Sequence, residues 1–308
     1  MPVADLYLRA ERRGRREVLG EIAQVPVDLA LGDGRHASQA RGRRQLRHGS
    51  WQPDSERDRL QPHRRHGQGG QVGAEVRDLD WEGCWNARDL GGLELADGRR
   101  IRRGAVVRSD APDRLTDRGW AALRAHGVRT VVDLRDPGEG EPVAAAQGLE
   151  VVRVPLDRLA GPVWWERWGE LDGTPLTFRP ALEHTSEGVT RVLRAVIAAP
   201  PGGVLVHCAA GRDRTGLFAF ALLASLGVAA EDIAADYTRS GERLDPLLRA
   251  RGREREVVAI DRLLADHGTT ATSCVMQTVA WFRAESRQLL DAEELKALHE
   301  RVTEPAGS

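Results

Sequence analysis

A cysteine and an arginine separated by five residues occur in the stretch 207–216, which reads HCAAGRDRTG. The stretch follows an apolar run, 203–206, typical of a buried strand, and precedes a second apolar run, 217–226, typical of a core helix. A loop between a strand and a helix can bind phosphate through its backbone N–H groups, and the positive end of the helix strengthens that site. The positive potential of these N–H groups and of the helix end also favours a thiolate at Cys208, which is the nucleophilic form of the side chain.

Other residue types in this loop complete an anion site. Arg214 can donate two parallel hydrogen bonds to two phosphoryl oxygens. Gly211 and Gly216 permit a tight turn and a close approach of the backbone to the anion. The sequence therefore predicts attack by the Cys208 sulfur on a phosphate monoester. The alternative is a buried structural cysteine beside a charged turn.

The motif HCxxGRDRTG at 207–216 resembles the Cys-x5-Arg signature of the protein tyrosine phosphatase superfamily. Together with Asp213, a second motif, NARDLGG at 86–92, resembles the bacterial tyrosine phosphatase B-like group, whose members hydrolyse phosphotyrosine and often phosphoinositides. The resemblance covers about residue 80 to the C-terminus. That group usually carries lysine where this chain has Arg212, and a planar guanidinium in place of an ammonium leaves the substrate preference open.

The resemblance implies roles for residues in and around the loop. Cys208 would form a cysteinyl-phosphate, and backbone amides together with the Arg214 guanidinium would stabilise the charge on the equatorial oxygens. His207 would anchor the loop and favour the thiolate, and Thr215 would hydrogen-bond to the departing sulfur. No metal or organic cofactor is expected, because amides and arginine carry the charge. The expected substrate-binding residues are Ala209, Ala210, Gly211, Arg212, Asp213 and Arg214.

Two aspartates are candidates for the acid that protonates the leaving group. In the superfamily this acid usually lies on a loop beside the catalytic loop, and Asp157, which follows the predicted strand 151–154, matches that position. Asp213, inside the loop, is the competitor, and Asp157 could instead only cap its turn. Whichever residue acts would then deprotonate the water that hydrolyses the cysteinyl-phosphate.

Three residues of the NARDLGG motif are candidate supporting residues: Asn86, Arg88 and Asp89. In the related bacterial group this segment packs beside the catalytic loop and helps to hold it. From the residue types alone the segment is a turn, with Arg88 and Asp89 available for a local ion pair. Contact with the substrate is the alternative role.

Two further segments contain candidate site residues. Arg135 and Asp136 follow the predicted strand 128–134, where ligands bind in open α/β sheets, although a surface ion pair would explain them equally well. Three tryptophans, Trp164, Trp165 and Trp168, could form an aromatic wall or lid over an aryl phosphate. A small satellite core or an interface is the alternative for that cluster.

Predicted strands alternate with predicted helices along most of the chain. This order predicts an α/β sandwich of three layers, with a mostly parallel central sheet and helices on both faces. The predicted strands are 105–108, 128–134, 151–154 and 203–206, and the predicted helices are 116–126, 186–199, 217–226, a helix from about 231 through Tyr237, 244–264, 272–284 and 291–302.

Composition indicates which partners and which cellular compartment suit the protein. The 45 basic residues nearly cancel the 46 acidic residues, so no global field indicates nucleic acid or an acidic membrane as a partner. The three cysteines, Cys84, Cys208 and Cys274, are too few for a disulfide framework and suit a reducing cytoplasm. We expect no membrane-spanning segment and no signal peptide, while export by another route stays open. The sequence leaves the oligomeric state open.

Residues 1–75 differ in composition from residues 76–308, which we expect to form the phosphatase domain. Residues 32–75 contain only seven apolar residues, too few to offset the entropy of ordering, so we expect a disordered tail. Residues 1–75 carry 14 arginines against 10 acidic residues, which gives the tail a basic character. Its four histidines match no zinc-site spacing: His36, His48, His63 and His66.

These patterns predict a cysteine-dependent phosphatase that hydrolyses phosphotyrosine in proteins. The first alternative is a phosphoinositide, inositol-phosphate or dual-specificity phosphatase, which would use the same loop. A rhodanese-type sulfurtransferase also uses a cysteine in an anion-binding loop, but the run from Arg214 to Gly216 and the NARDLGG motif disfavour it. A phosphate-binding module without turnover is disfavoured because both Cys208 and Arg214 are present.

Overall fold

A computed structural model describes residues 77–140, 144, 147–250, 252, 254–285 and 287–305. The side chains of residues 254–257 are not described. All described residues belong to one compact unit, residues 53–308. The predicted tail, 1–75, and its four histidines lie outside the described residues, so the boundary at residue 75 stays a prediction.

A five-stranded sheet positions the loop that contains Cys208. Its strand order is β1-β3-β6-β4-β5, and every neighbouring pair is parallel except β1 with β3. A separate antiparallel pair joins β2 to β7. The strands in chain order are β1 (Arg88–Asp89), β2 (Arg100–Ile101), β3 (Val106–Ser109), β4 (Val128–Asp133), β5 (Glu150–Arg153), β6 (Gly203–His207) and β7 (Thr303–Glu304).

Nine α-helices are present in the described part of the chain. The helices are α1 (Asp117–Ala125), α2 (Leu156–Trp168), α3 (Phe178–His184), α4 (Ser186–Ala198), α5 (Asp213–Ser225), α6 (Ala230–Ala250), α7 (Glu254–Asp266), α8 (Ala271–Ala284) and α9 (Ala292–Val302). Helix α1 begins where the Thr116 hydroxyl accepts a hydrogen bond from the Gly119 amide at 3.2 Å. Helix α9 begins with a capping box between Asp291 and Glu294. Local hydrogen bonds of this kind explain why these helix starts are predictable from sequence.

The sheet has helices on both faces, which confirms the predicted three-layer α/β sandwich. Strand β6 divides its side chains between two cores, because successive residues of a strand point to opposite faces. Val204 and Val206 pack with helices α4 and α5 in the larger core. Leu205 packs on the other face with Trp120 and Leu123 of helix α1. Every residue of β6 is buried, as expected for the central strand of a parallel sheet.

The helical region after the catalytic loop differs from the prediction in two places. Helix α5 begins at Asp213, four residues before the predicted start, so the loop aspartate lies in its first turn. Helix α6 runs without interruption from 230 to 250, whereas the sequence predicted one helix through Tyr237 and another over 244–264. A continuous stripe of buried residues explains the longer helix. The stripe consists of Ile233, Ala234, Asp236, Tyr237, Ser240, Leu244 and Leu247.

None of the helices in the described residues is long and apolar enough to cross a membrane.

Candidate active site

The catalytic loop, residues 208–212, lies at the carboxyl end of strand β6. Strands β3 and β4 flank β6 in parallel, so their carboxyl ends open on the same edge of the sheet. Ligands bind at this edge in open α/β sheets. Cys208 is 3% exposed, and helix α5 begins directly after the loop. The predicted strand–loop–helix arrangement around the cysteine is therefore present.

The backbone of the loop turns tightly around the cysteine sulfur. The Gly211 amide donates a hydrogen bond to Cys208 Sγ at 3.2 Å. Gly211 has φ of 69°, and a Cβ atom there would lie 2.2 Å from the Ser109 carbonyl oxygen. No other residue fits this position, because the left-handed conformation and the close backbone contact both exclude a side chain.

Arg214 lies between two carboxylates at the outer side of the loop. Its Nη1 and Nη2 donate to the two oxygens of Glu139 at 2.7 and 2.8 Å. Its Nη1 is also 3.1 Å from Asp157 Oδ2. Burial raises the pKa of Glu139, but the hydrogen bond and the charge of Arg214, together with the Asp136 amide and the Arg135 charge, outweigh burial, and the pKa falls below its ordinary value. Since Glu139 occupies the Nη1–Nη2 edge of the guanidinium, the edge formed by Nε and Nη2 is the one left for a two-point contact with a phosphate.

Asp157 has the electrostatics of a group that holds a proton near neutral pH. Burial raises its pKa from 3.8 to about 7, with further contributions from Asp172, Glu139 and Asp136, although Arg214 opposes the rise. Its side chain is 29% exposed, so solvent still reaches it. The structure therefore brings this predicted candidate within contact of the predicted arginine, at the start of helix α2.

Asp213, the competing candidate acid, has a different environment. Arg212 donates to its two oxygens from Nε at 3.0 Å and from Nη2 at 3.4 Å. Arg212 Nη2 also donates to the Gly173 carbonyl at 3.3 Å. Asp213 lies in the first turn of α5, where the helix dipole stabilises a carboxylate. This ion pair restrains Asp213 against the adjacent residue of its own loop.

A cleft joins both aspartates to an aromatic wall. Trp164 and Trp165 line it, with their rings edge to face at a centroid distance of 5.0 Å. Trp165 Nε1 donates to the Asp157 backbone carbonyl at 3.0 Å. Trp168, the third tryptophan of the predicted wall, does not line the cleft; the Arg167 guanidinium lies 5.1 Å from its ring centroid. The predicted cluster is therefore divided between the site and the surface.

Asn86 of the NARDLGG motif contacts the catalytic loop directly. Its Nδ2 donates to the carbonyl oxygens of Ala210 at 3.0 Å and Gly211 at 3.1 Å. The side chain is fully buried, does not line the cleft, and supports the loop from the side away from the Cys208 sulfur. This geometry favours the predicted supporting role over contact with the substrate.

Arg88 and Asp89, which the residue types left available for a local ion pair, do not pair with each other. Arg88 pairs instead with Asp236, at 2.9 Å between Nε and Oδ1. Asp89 contacts His126 Nε2 at 2.9 Å and accepts hydrogen bonds from the backbone amides of Gly91 and Gly104, both at 2.8 Å. The two residues form strand β1, so their side chains point to opposite faces and reach different partners.

Three charged residues at the site were not predicted from sequence: Arg108, Glu139 and Asp236. Arg108 Nη2 donates to the Gly211 carbonyl at 2.8 Å, and its Nη1 contacts Asp236 Oδ2 at 2.5 Å. A fully buried arginine in an apolar strand and an aspartate on the apolar stripe of a helix are both unusual positions. Those two anomalies are the signals that could have identified Arg108 and Asp236. Glu139 carried no such signal, because it lies in a turn rich in charge.

His207 and Thr215 lie next to the nucleophile. His207 Nδ1 is 3.0 Å from the Cys208 carbonyl oxygen, so this nitrogen carries the proton. Burial lowers the pKa of His207, although Asp133 partly opposes that shift. The Thr215 hydroxyl is buried and has no hydrogen-bond partner among the described residues. Its bond to the departing sulfur stays a prediction.

Arg135 and Asp136 have separate roles at the end of strand β4. Arg135 is 1% exposed and pairs with Asp133 at 2.9 Å and with Asp113; the first ion pair is fully buried, and the second is partly buried because Asp113 is 22% exposed. Asp136 is 8% exposed, and burial followed by the charge of Glu139 raises its pKa. Asp136 therefore belongs to the carboxylates around Arg214, while Arg135 does not reach the cleft.

No group of three or more histidine, cysteine or acidic residues that could hold a metal ion occurs within the residues described here.

A sheet-edge loop with a buried cysteine, an arginine and an acid beside that arginine is the arrangement expected of a cysteine-dependent phosphatase. The chain matches the tyrosine phosphatase family over residues 79–302, and it belongs to that family. The resemblance inferred from the two motifs is thus confirmed.

Individual relatives cover different shares of the chain. A protein of Cupriavidus necator named as a tyrosine-protein phosphatase is 37% identical over 54% of this chain. The matched part covers 64% of that protein's length. The triple specificity protein phosphatase PtpB of Mycobacterium tuberculosis is 31% identical over 70% of this chain and 89% of its own length. The crystal structure of TpbA from P. aeruginosa is 19% identical, covers 55% of this chain and 95% of TpbA, and has a TM-score of 0.32.

Proposed function

We propose that this protein hydrolyses phosphotyrosine in proteins through a cysteinyl-phosphate on Cys208. One observation carries the proposal: Arg214 is 3.1 Å from Asp157, whose pKa is raised to about 7 at the mouth of the loop that holds the nucleophile. An anion-binding group and an acid that is protonated near neutral pH therefore line one cleft, beside the loop that holds the nucleophile. Family membership supports the same reaction class.

In the first step the Cys208 thiolate attacks phosphorus in line with the phenolic oxygen. The S–P bond forms and the P–O bond to the tyrosine breaks. Asp157 donates its proton to the phenolate oxygen as this bond breaks. Loop amides and the Nε–Nη2 edge of Arg214 stabilise the charge on the three equatorial oxygens, which is the largest electrostatic contribution in such sites.

In the second step water hydrolyses the cysteinyl-phosphate. The Asp157 carboxylate, now ionised, accepts a proton from the water as its oxygen bonds to phosphorus. The S–P bond breaks and returns the thiolate, and inorganic phosphate leaves. This sequence restores the proton on Asp157 and needs no metal or organic cofactor. Asp213 is the second candidate for this acid, but its carboxylate is held in an ion pair with Arg212, the preceding residue of the loop.

The cleft favours an aryl phosphate monoester over an inositol that carries several phosphates. Trp164, Trp165 and Phe178 provide apolar walls for a phenyl ring. Arg212, the additional cation of the loop, is already paired with Asp213. Asp136, Glu139 and Asp172, which surround Asp157, add negative charge that would repel further phosphate groups. We therefore expect monophosphorylated substrates.

Phosphoinositide hydrolysis is the second candidate function. The relative named triple specificity protein phosphatase supports a broader substrate range. Arg212 would serve such substrates if a second phosphate displaced Asp213 from its guanidinium. We also propose that the protein acts in the reducing cytoplasm, because Cys84, Cys208 and Cys274 are all free and the mechanism requires a thiolate.

A turnover panel tests these proposals. Wild-type protein and Cys208→Ser would be assayed with phosphotyrosine peptide, phosphoserine peptide and phosphoinositide vesicles. We expect fastest turnover of phosphotyrosine, and a loss on the order of 10⁴-fold or more in Cys208→Ser, with the affinity for inorganic phosphate retained. Residual turnover within tenfold of wild type in Cys208→Ser would overturn the mechanism. Faster phosphoinositide turnover would select the second candidate.

A further inference from the structure

The catalytic loop is held by its carbonyl groups, on the side away from the cleft. The Ala210 carbonyl accepts a hydrogen bond from Asn86, and the Gly211 carbonyl accepts from both Asn86 and Arg108. Each carbonyl shares a peptide plane with the following N–H group, and in a trans peptide the two point in opposite directions. The described part of the chain contains no cis peptide.

Fixing these carbonyls therefore fixes where two loop amides point. The Gly211 amide, opposite the Ala210 carbonyl, donates to Cys208 Sγ at 3.2 Å. The Arg212 amide, opposite the Gly211 carbonyl, points in the same way into the loop. Reversal of either peptide would turn a carbonyl oxygen toward the phosphate and replace an attraction by a repulsion. The orientation of two peptide planes thus decides whether the loop binds an anion.

One carboxylate, that of Asp236 on helix α6, holds both side chains that grip these carbonyls. Its Oδ2 contacts Arg108 Nη1 at 2.5 Å, and its Oδ1 accepts from Arg88 Nε at 2.9 Å. Arg88 in turn donates from Nη1 to Asn86 Oδ1 at 2.6 Å, which fixes the amide so that its Nδ2 faces the loop. Ser240, one turn further along α6, accepts from Arg88 Nη2 at 2.9 Å.

The burial of this network makes Asp236 hard to replace. Asp236 is 1% exposed, and Arg108 and Asn86 are fully buried. Two buried arginines share one buried carboxylate, so the network keeps an excess positive charge behind the loop. Removing one partner of such a group leaves uncompensated buried charge, which is strongly unfavourable. The same excess charge attracts a phosphate bound on the other side of the loop.

We propose that Asp236 is a positioning residue of the catalytic loop. Through Arg108 and through the Arg88–Asn86 pair it orients the peptide planes after Ala210 and Gly211, so that their N–H groups face the nucleophile and the bound oxyanion. Asp236 itself touches neither substrate nor sulfur. The inference rests on the proposed function only in that the loop must bind a phosphate-like anion.

The test uses Asp236→Asn, which keeps the side-chain shape and removes the charge. Vanadate affinity is measured by titration at a temperature where each protein is fully folded. Values of kcat/KM are measured for phenyl phosphate and p-nitrophenyl phosphate. We expect vanadate binding to weaken by about 10- to 100-fold, the cost of about one charge-assisted hydrogen bond, and kcat/KM to fall equally for both substrates. An equal fall separates positioning from proton donation, which would affect phenyl phosphate more.

A core variant controls for a loss of stability. Val279→Ala on α8 creates a cavity in the fully buried core without touching the loop, so it should lower the unfolding midpoint and leave vanadate affinity unchanged. Vanadate affinity of Asp236→Asn within twofold of wild type would overturn the inference alone. If wild-type protein bound no vanadate and hydrolysed no phosphate ester, the proposed function would fall with it.

A second variant keeps the test decisive if Asp236→Asn does not fold. Arg108→Lys retains the positive charge but lacks the fork that reaches Asp236 and the Gly211 carbonyl together. We expect the same leaving-group-independent fall in kcat/KM and a weaker vanadate complex. Unchanged vanadate affinity in Arg108→Lys would contradict the inference.

Discussion

The two sides of the catalytic loop differ in how their charges are held. On the inner side, Asn86, Arg108 and Asp236 are at most 1% exposed. On the outer side, the side chains of Arg214, Glu139 and Asp157 are 18%, 31% and 29% exposed. Both sides contain an arginine beside a carboxylate, yet only the outer side meets solvent and the cleft.

Because of this difference, the inner side is suited to fixing the geometry of the loop and the outer side is suited to proton transfer. Buried ion pairs are screened little by salt and change charge reluctantly, so the inner side suits a fixed orientation of the loop. The pKa values of the two outer carboxyl groups are shifted in opposite directions: that of Asp157 is raised and that of Glu139 is lowered. The proton transfer that we propose therefore takes place on the outer side. Changes on the outer side should depend on the leaving group or on pH, whereas those on the inner side should affect all substrates alike.

Among changes to the two sides of the loop, the largest effect should come from Asp157→Asn with a basic leaving group. Turnover of phenyl phosphate should fall by about 10²–10⁴-fold, the usual contribution of a general acid, because phenolate needs the proton to depart. Turnover of p-nitrophenyl phosphate should fall much less, and the basic limb of the pH–rate profile should flatten. The measurement is kcat against leaving-group pKa. Equal losses for good and poor leaving groups would transfer the role to Asp213.

Asp172→Asn is the matched control for that experiment. Asp172 is another aspartate that lines the cleft, and its charge raises the pKa of Asp157. The variant should keep the leaving-group dependence of wild type and shift the basic limb to lower pH. A leaving-group dependence like that of Asp157→Asn would instead identify Asp172 as part of the proton transfer.

A smaller effect is expected from Glu139→Gln, which removes the charged partner of Arg214. The guanidinium loses one of two charge-assisted hydrogen bonds that set its plane, so kcat/KM should fall by about tenfold for all substrates. Loss of the Glu139 charge also lowers the pKa of Asp157, so the basic limb should move to lower pH. pH–rate profiles of both proteins check this prediction. An unchanged basic limb would show that the two carboxylates do not interact.

The smallest expected effect is on stability. The pKa of Asp157 is about 7 in the folded protein against an ordinary 3.8, so between these values the folded state binds the extra proton. Its contribution to stability is fully present below the unfolded pKa and is lost as pH rises through about 7. Urea unfolding should therefore show a smaller loss of stability from about pH 5 to about pH 8 in Asp157→Asn than in wild type. An identical pH dependence in both proteins would argue against the raised pKa.

Sequence reasoning succeeded where the information is local. The nucleophile and its arginine lie in one short loop. The apolar strands, which alternate with helices along the chain, predict the sheet that carries this loop. The inner side escaped prediction because its contacts join residues far apart in the chain: Arg88 and Asp236 are 148 positions apart. The local pairing that the residue types allowed between Arg88 and Asp89 does not form, since neighbours in a strand face away from each other.

Helix α6 shows a second limit of prediction from the sequence. The sequence predicted a helix boundary between Tyr237 and Leu244, where polar residues interrupt the apolar pattern. Ser240, a member of that polar stretch, is fully buried against Arg88 and Arg108. A polar residue in the core stripe looks like a break until its buried partners are known. Polarity there was a sign of the site rather than of a turn.

The long reach of Asp236 has a consequence for the order of folding. Contacts between residues 128 and 148 positions apart close large loops, which slows folding and requires most of the chain to be present. During synthesis the strand, the catalytic loop and the start of α5 emerge before Asp236 does. A nascent or truncated chain that ends before α6 therefore holds its cysteine in an unassembled anion site. If Asp236 has the role that we propose, catalytic competence arrives only when helix α6 has docked.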